Sequence, residues 1–203
     1  MYLFGGSGHC KVIIDVIKNN NNSYEITSII DENPILDKIF GINIVREIKF
    51  NDDDVLFIAI GNNKIRKKIS SKYSNLNYPV LIHSNAIIGI NVSIAHGTVI
   101  MAGAIVNPDT RIGKQCIVNT SAVIEHDNVI EDFVHISPNA ALAGNVNVGE
   151  GTQIGIGACV IQGVKIGKWC TIGAGSVVLK DVPDYAVVVG NPGKIIKYNQ
   201  EHE

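Results

Sequence analysis

Residues 116–148, CIVNTSAVIEHDNVIEDFVHISPNAALAGNVNV, place an aliphatic side chain at every sixth position: Val118, Ile124, Ile130, Ile136, Leu142 and Val148. Outward from this stretch the period continues without a slip from Ile82 to Val178, seventeen positions in all. Two residues before each, the side chain is small or β-branched, from Val80 and Ala86 to Cys170 and Ser176; Asn128 alone departs. A period of six fits neither the 3.6 of an amphipathic helix nor the alternation of a strand. It marks a parallel β-helix, in which each coil buries its own aliphatics and stacks on the next. Three hexads would make one triangular coil, so the repeat predicts about five and a half coils.

The remaining sequence, residues 1–80, reads as a separate α/β domain, with residues 81–203 forming the β-helix and a short tail. A strand at Met1–Phe4 runs into Gly5-Gly6-Ser7-Gly8-His9, and Val12, Ile13, Val16 and Ile17 follow at helical spacing. Strand, glycine-rich turn and helix open a Rossmann-like nucleotide-binding unit, where glycines let the backbone approach a phosphate and the helix start supplies free N–H groups. The third glycine of the dinucleotide fingerprint is replaced by Lys11, so that fingerprint fails. Residues 19–23 read as a polar loop and Ile26–Ile30 as a strand ending in Asp31-Glu32, where such folds hold a ribose or base. Val55–Ile60 reads as a further strand, leading into Gly61-Asn62-Asn63-Lys64-Ile65-Arg66 and a second helix.

Composition excludes several functions. A formal charge of −2 offers no basic field for nucleic acid. No apolar run approaches the roughly 20 residues that span a bilayer, and no signal peptide opens the chain, so a cytoplasmic protein is expected. The four cysteines include no CxxC pair, and Cys116 and Cys170 fall at the small inward position of their hexads, which points to packing rather than disulfides or zinc.

On a regular prism, polar residues outside the core sort into columns by their position modulo eighteen. His126 and Gly144 share one column, stacked about 4.8 Å apart. Asn119, His135, Ile156 and Ala174 fall in a band roughly half a coil away. His126 and His135 therefore cannot act on one atom from a single prism, and three prisms about a threefold axis would bring one of each together between subunits. His126 lies between Glu125 and Asp127, and an adjacent acid can fix the tautomer of a general base.

The combination GGSGH, AIGNNKIRKKI, NTSAVIEHD and ALAGNV resembles the nucleotide-sugar N-acetyltransferases of the hexapeptide-repeat superfamily, the PglD/NeuD-type sugar acyltransferases, across essentially the whole chain. The resemblance implies a homotrimer with a Rossmann-like domain for the nucleotide of an amino sugar and a left-handed β-helix for acetyl-CoA. It makes His126 the catalytic base, Asp127 the acid beside it, and places Asn119 near the reacting groups. It puts His135 on the thioester carbonyl and Gly144, Ile156 and Ala174 along the pantetheine groove. Gly8 and His9 would lie by the diphosphate and sugar, Asp31 and Glu32 by the base, with Gly61, Asn62 and Arg66 completing the pocket. The implied substrate is a UDP-linked 4-amino-4,6-dideoxy sugar. GDP-perosamine and a sialic acid, the latter acetylated on oxygen, remain open. A zinc enzyme resembling the β-helical carbonic anhydrases fits less well, because His126 and His135 are nine residues apart and no histidine triad has zinc spacing; no metal is expected.

Overall fold

The computed structural model describes residues 1–20 and 24–200, so most of the polar tract at 19–23 and the last residues of the tail lie outside the described residues. The α/β part contains β1 (Tyr2–Phe4), α1 (Gly8–Lys18), β2 (Ser28–Ile30), β3 (Lys38–Ile39), β4 (Ile42–Val45), β5 (Leu56–Ile58) and α2 (Asn63–Lys72). Its sheet runs β3-β4-β2-β1-β5, parallel except for the β3–β4 hairpin. That hairpin adds an edge beyond the three strands expected. Helix α1 starts at Gly8, inside the glycine-rich turn and ahead of the apolar spacing that begins at Val12. It buries Cys10, Ile13, Ile14, Val16 and Ile17, leaving Val12 39% exposed, because Val12 lies opposite the stripe formed by Cys10, Ile13, Ile14 and Ile17.

Every aliphatic of the hexad series is the second residue of a two-residue strand, from β6 (Leu81–Ile82) to β22 (Val177–Val178), each strand six residues after the last. The strands stack in parallel at an offset of eighteen residues, as in the pairing of Ile117 with His135 and of Val123 with Ala141. Side chains alternate across a strand, so the second residue points into the prism. Ile100 through Val178 of the series are buried in one continuous core, and only Ile82, Ile88 and Ile94 in the first coils are partly open.

The three faces differ in what they present outward. The face beginning with β6 turns Leu81, Val99 and Ile117 into the core of the α/β part, among Leu3, Ile13, Ile14 and Phe57. The face beginning with β7 (Ile87–Ile88) shows Ile87, Ile105, Val123, Ala141, Cys159 and Val177, an uncovered apolar ladder. The face beginning with β8 (Ser93–Ile94) shows Ser93, Arg111, Val129, Asn147 and Lys165 and is largely polar. The tail is more regular than the sequence indicated: β23 (Ala186–Val189) continues the first face and pairs antiparallel with β24 (Lys194–Tyr198).

The junction between the parts is a buried arginine. Arg66, 1% exposed, donates through Nε to the Gln115 carbonyl (2.7 Å), through Nη1 to those of Ile60 and Gly61 (3.0 and 3.2 Å), and through Nη2 to Asn63 Oδ1 (2.8 Å) and the Phe133 carbonyl (2.9 Å). All five guanidinium N–H groups are spent on protein oxygens. The guanidinium that the resemblance assigned to the nucleotide-sugar pocket is turned by α2 toward the β-helix and bonded there to Gln115 and Phe133. Burial lowers its pKa to about 10.

Candidate active site

The predicted residues separate into two groups within one chain. The first is at the corner that follows β13 (Val123–Ile124), beside the apolar face. There Asp127 takes a left-handed backbone conformation, φ 61°, and its Oδ2 lies 2.7 Å from His126 Nδ1. A carboxylate accepts, so Nδ1 carries the proton and Nε2 keeps its lone pair. The two side chains are about 60% exposed. The hydrogen bond from Asp127 raises the histidine's pKa above its ordinary value of 6.5. Gly144, one coil on, sits against the ring: a Cβ there would come within 2.7 Å of His126 Cε1.

The second group lies on the opposite side, where the first face meets the α/β part. Thr120 N–H donates to Asn119 Oδ1 at 2.8 Å, which fixes the amide, so Nδ2 donates to His135 Nε2 at 3.0 Å. His135 is then protonated on Nδ1, a buried atom with no good hydrogen-bond partner. Burial, the Arg66 charge and nearby His9 lower its pKa to about 4. His9 is likewise held at about 4, by burial first and by Arg66 second, with Nε2 buried and unpaired. Both rings are neutral at pH 7. Ile156 and Ala174 follow β18 (Gln153–Ile154) and β21 (Thr171–Ile172) at the next corner, and Ile156 is 53% exposed.

The α/β part has a cleft of about 670 Å³ lined by Phe4, Gly5, Asp31, Glu32, Asn33, Ile60, Ile65, Lys68, Ile69 and Lys72. Asp31 lines it but is already engaged: Oδ2 accepts the Gly6 N–H at 2.7 Å and Oδ1 the Asn33 N–H at 3.0 Å. Its carboxylate thereby shapes the glycine-rich turn. Glu32 reaches Lys72 at 3.7 Å. Gly8, His9 and Gly61 are not among its lining residues, and His9 and Gly61 come close to His135 instead. Asn62 caps α2, accepting the Ile65 N–H at 3.0 Å, and faces a second cleft of about 340 Å³ with Gln153, Trp169, Thr171 and Asn199. The sequence reading missed Lys68 and Lys72, whose spacing of four on α2 was the available signal for two cations on one face. Among the described residues no group of three or more His, Cys, Asp or Glu could hold a metal ion, and no helix is long and apolar enough to cross a membrane.

Residues 1–73 match the PglD N-terminal domain, and residues 145–180 match the bacterial transferase hexapeptide (six repeats). The acetyltransferase domain of PglB from Neisseria gonorrhoeae FA1090 is 34% identical, with a TM-score of 0.90 over 96% of this chain and 98% of that one. The chain belongs to the PglD-type nucleotide-sugar acetyltransferases. Its hexads build a parallel β-helix, as the hexapeptide match requires. The PglB domain is also known in complex with acetyl coenzyme A. PerB from Caulobacter crescentus, in complex with CoA and GDP-perosamine, is 33% identical, with a TM-score of 0.87 over 97% and 96% of the two chains. An uncharacterized protein of Acanthamoeba polyphaga mimivirus is 33% identical over 103 residues, and the chain spans about a fifth of its length.

Proposed function

We propose that the protein is an acetyl-CoA-dependent N-acetyltransferase acting in the cytoplasm on the 4-amino group of a UDP-linked 4-amino-4,6-dideoxy sugar. One observation carries the assignment of its base: His126, oriented by Asp127 at 2.7 Å, stands exposed at the rim of an apolar face in a chain about one-third identical, end to end, to PerB and to the acetyltransferase domain of PglB. Residues 1–80 hold the sugar nucleotide, with Asp31 and Glu32 near the base and Gly8, His9, Gly61 and Asn62 toward the diphosphate and sugar. Residues 81–203 hold acetyl-CoA, with Gly144, Ile156 and Ala174 along the pantetheine.

In the reaction the sugar amine attacks the thioester carbonyl carbon, a C–N bond forms, the C–S bond breaks, and coenzyme A leaves as the thiol. His126 Nε2 takes the proton released by the amine and passes it to the departing sulfur, proton transfers worth roughly 10²–10⁴-fold. Asn119 and His135 lie at the carbonyl, where the second hydrogen of the Asn119 amide, the one not taken by His135 Nε2, favours the developing oxyanion. The rest is positioning.

The uncovered ladder Ile87, Ile105, Val123, Ala141, Cys159 and Val177 supports a homotrimer. A second copy packed on it covers His126 and brings the other copy's His135 side to it, since the two histidines are on separate sides of one prism. The assay is acetyl-CoA consumption with UDP- and GDP-linked 4-amino sugars and with sialic acid, offered separately. Turnover confined to the UDP sugar is expected; turnover confined to the GDP sugar, or transfer to a hydroxyl, assigns the alternatives.

A further inference from the structure

Asn128 is the one residue of the inward series that is neither small nor β-branched, and it is wholly buried beneath the turn that carries His126. Its Nδ2 has two hydrogens and three carbonyls in reach, so one goes to Ala143 (3.0 Å) and the other is shared by Glu125 (2.5 Å) and His126 (3.2 Å). Other coils show what this inward position ordinarily does. Thr98, Thr110 and Thr152 each donate a hydroxyl to the carbonyl fifteen residues on: Gly113, Glu125 and Gly167, at 2.8, 3.0 and 2.7 Å. The bond from Asn128 to Ala143 is that same rung, again fifteen residues on. The bonds to Glu125 and His126 are additional and fasten the turn of its own coil from within.

The amide brings a cost that threonine does not. Asn128 Oδ1 is buried without a partner, whereas the hydroxyls of Thr98 and Thr152 also accept, from the Cys116 and Cys170 N–H groups at 2.9 Å. A buried unsatisfied oxygen is destabilising. For the β-helix alone threonine is the better residue here, so the gain from asparagine lies in the turn.

The turn needs such a clamp. His126 and Asp127 project into solvent, so no side-chain packing holds them. Their positions follow from the backbone at 125–128, which is also tied by Asp127 N–H to the Pro108 carbonyl (3.1 Å) and Asn145 N–H to the His126 carbonyl (2.9 Å). The Glu125 carbonyl accepts from Thr110 one coil below and from Asn128 within its own coil.

We propose that Asn128 is a positioning residue for the reaction, holding the His126 turn so that the imidazole is aimed at the substrate amine. This rests on His126 acting as the base, as proposed above. Asn128→Thr keeps the rung to Ala143 and removes both turn bonds. A displacement of about 1 Å in a catalytic group can cost 10²-fold. The expected result is a kcat lowered about tenfold, KM for both substrates within twofold of wild type, and a Tm equal to or above that of wild type. Asn128→Ser, measured in parallel, removes the same two bonds without the methyl group and should lower kcat alike; it decides the question where the threonine variant does not fold. A kcat within twofold of wild type in the folded variant overturns the proposal, as does a change confined to KM. His126→Ala separates the two claims. If it stays active the assignment of the base fails, whereas a dead His126→Ala beside a fully active Asn128→Thr removes only Asn128.

Discussion

The imidazole of His126 lies against Gly144 one coil on, where a Cβ would come within 2.7 Å of Cε1. Gly144 has no left-handed backbone to preserve, so its lack of a side chain serves the ring above it. Gly144→Ala should fold with unchanged Tm, because a flexible exposed ring can move aside, and should lower kcat by at least tenfold, because the displaced ring no longer meets the amine. Steady-state kinetics with thermal melting checks both parts.

The pH dependence follows from Asp127. Its hydrogen bond raises the pKa of His126 above 6.5, and the base works only when neutral. Activity should therefore fall as pH drops through a value above 6.5. Asp127→Asn should move that acid limb to lower pH, since the raising hydrogen bond and charge are lost. A limb that stays in place in the variant removes His126 or Asp127 from this role. His126→Ala should lower kcat by roughly 10²–10⁴-fold while leaving the fold intact.

Stability should respond to the other histidines. His9 and His135 have folded pKa values of about 4 against 6.5 unfolded, so between these values the unfolded chain binds more protons. Their contribution is full above about pH 6.5 and is lost as pH falls toward 4, by roughly 2 kcal/mol each at pH 5 and roughly 3 at pH 4. Denaturation at pH 7 and pH 5 should show the loss, and His135→Gln should lessen it.

The β-helix was legible because its constraint is local and repeated. Each coil needs one inward aliphatic per side, and Ile136, 0% exposed, is where the period puts it. Ile136→Asp should accordingly cost several kcal/mol, as an unpaired charge inside the prism. The β3–β4 hairpin and the β23–β24 tail escaped notice because their strands are too short for a pattern to stand out, β3 spanning two residues and β4 four. Arg66 shows the same limit at the site. Its sequence context fits a pocket residue, and only the way α2 packs on the β-helix reveals that its head is consumed by five internal bonds. His126 and Asp127 were readable as neighbours, but the ring's contact with Gly144 depends on the coil spacing.

Arg66→Lys tests the junction. Lysine keeps the charge but offers three donors where five are used. The loss of at least two charge-assisted bonds in a buried site should destabilise the protein by about 3 kcal/mol or more. A Tm within a degree or two of wild type would show that the arginine is not the tie between the parts.

The central claim is that each active site takes His126 from one subunit and His135 from its neighbour. His126→Ala and His135→Ala are each prepared, verified as trimers and shown to be at least tenfold impaired. They are then denatured together in equal amounts and refolded. Random assembly leaves about a quarter of the interfaces with both histidines intact, so the mixture should recover about a quarter of wild-type activity, well above either parent. Activity equal only to the parents' average would mean that both histidines serve one site from the same subunit, and would contradict the account.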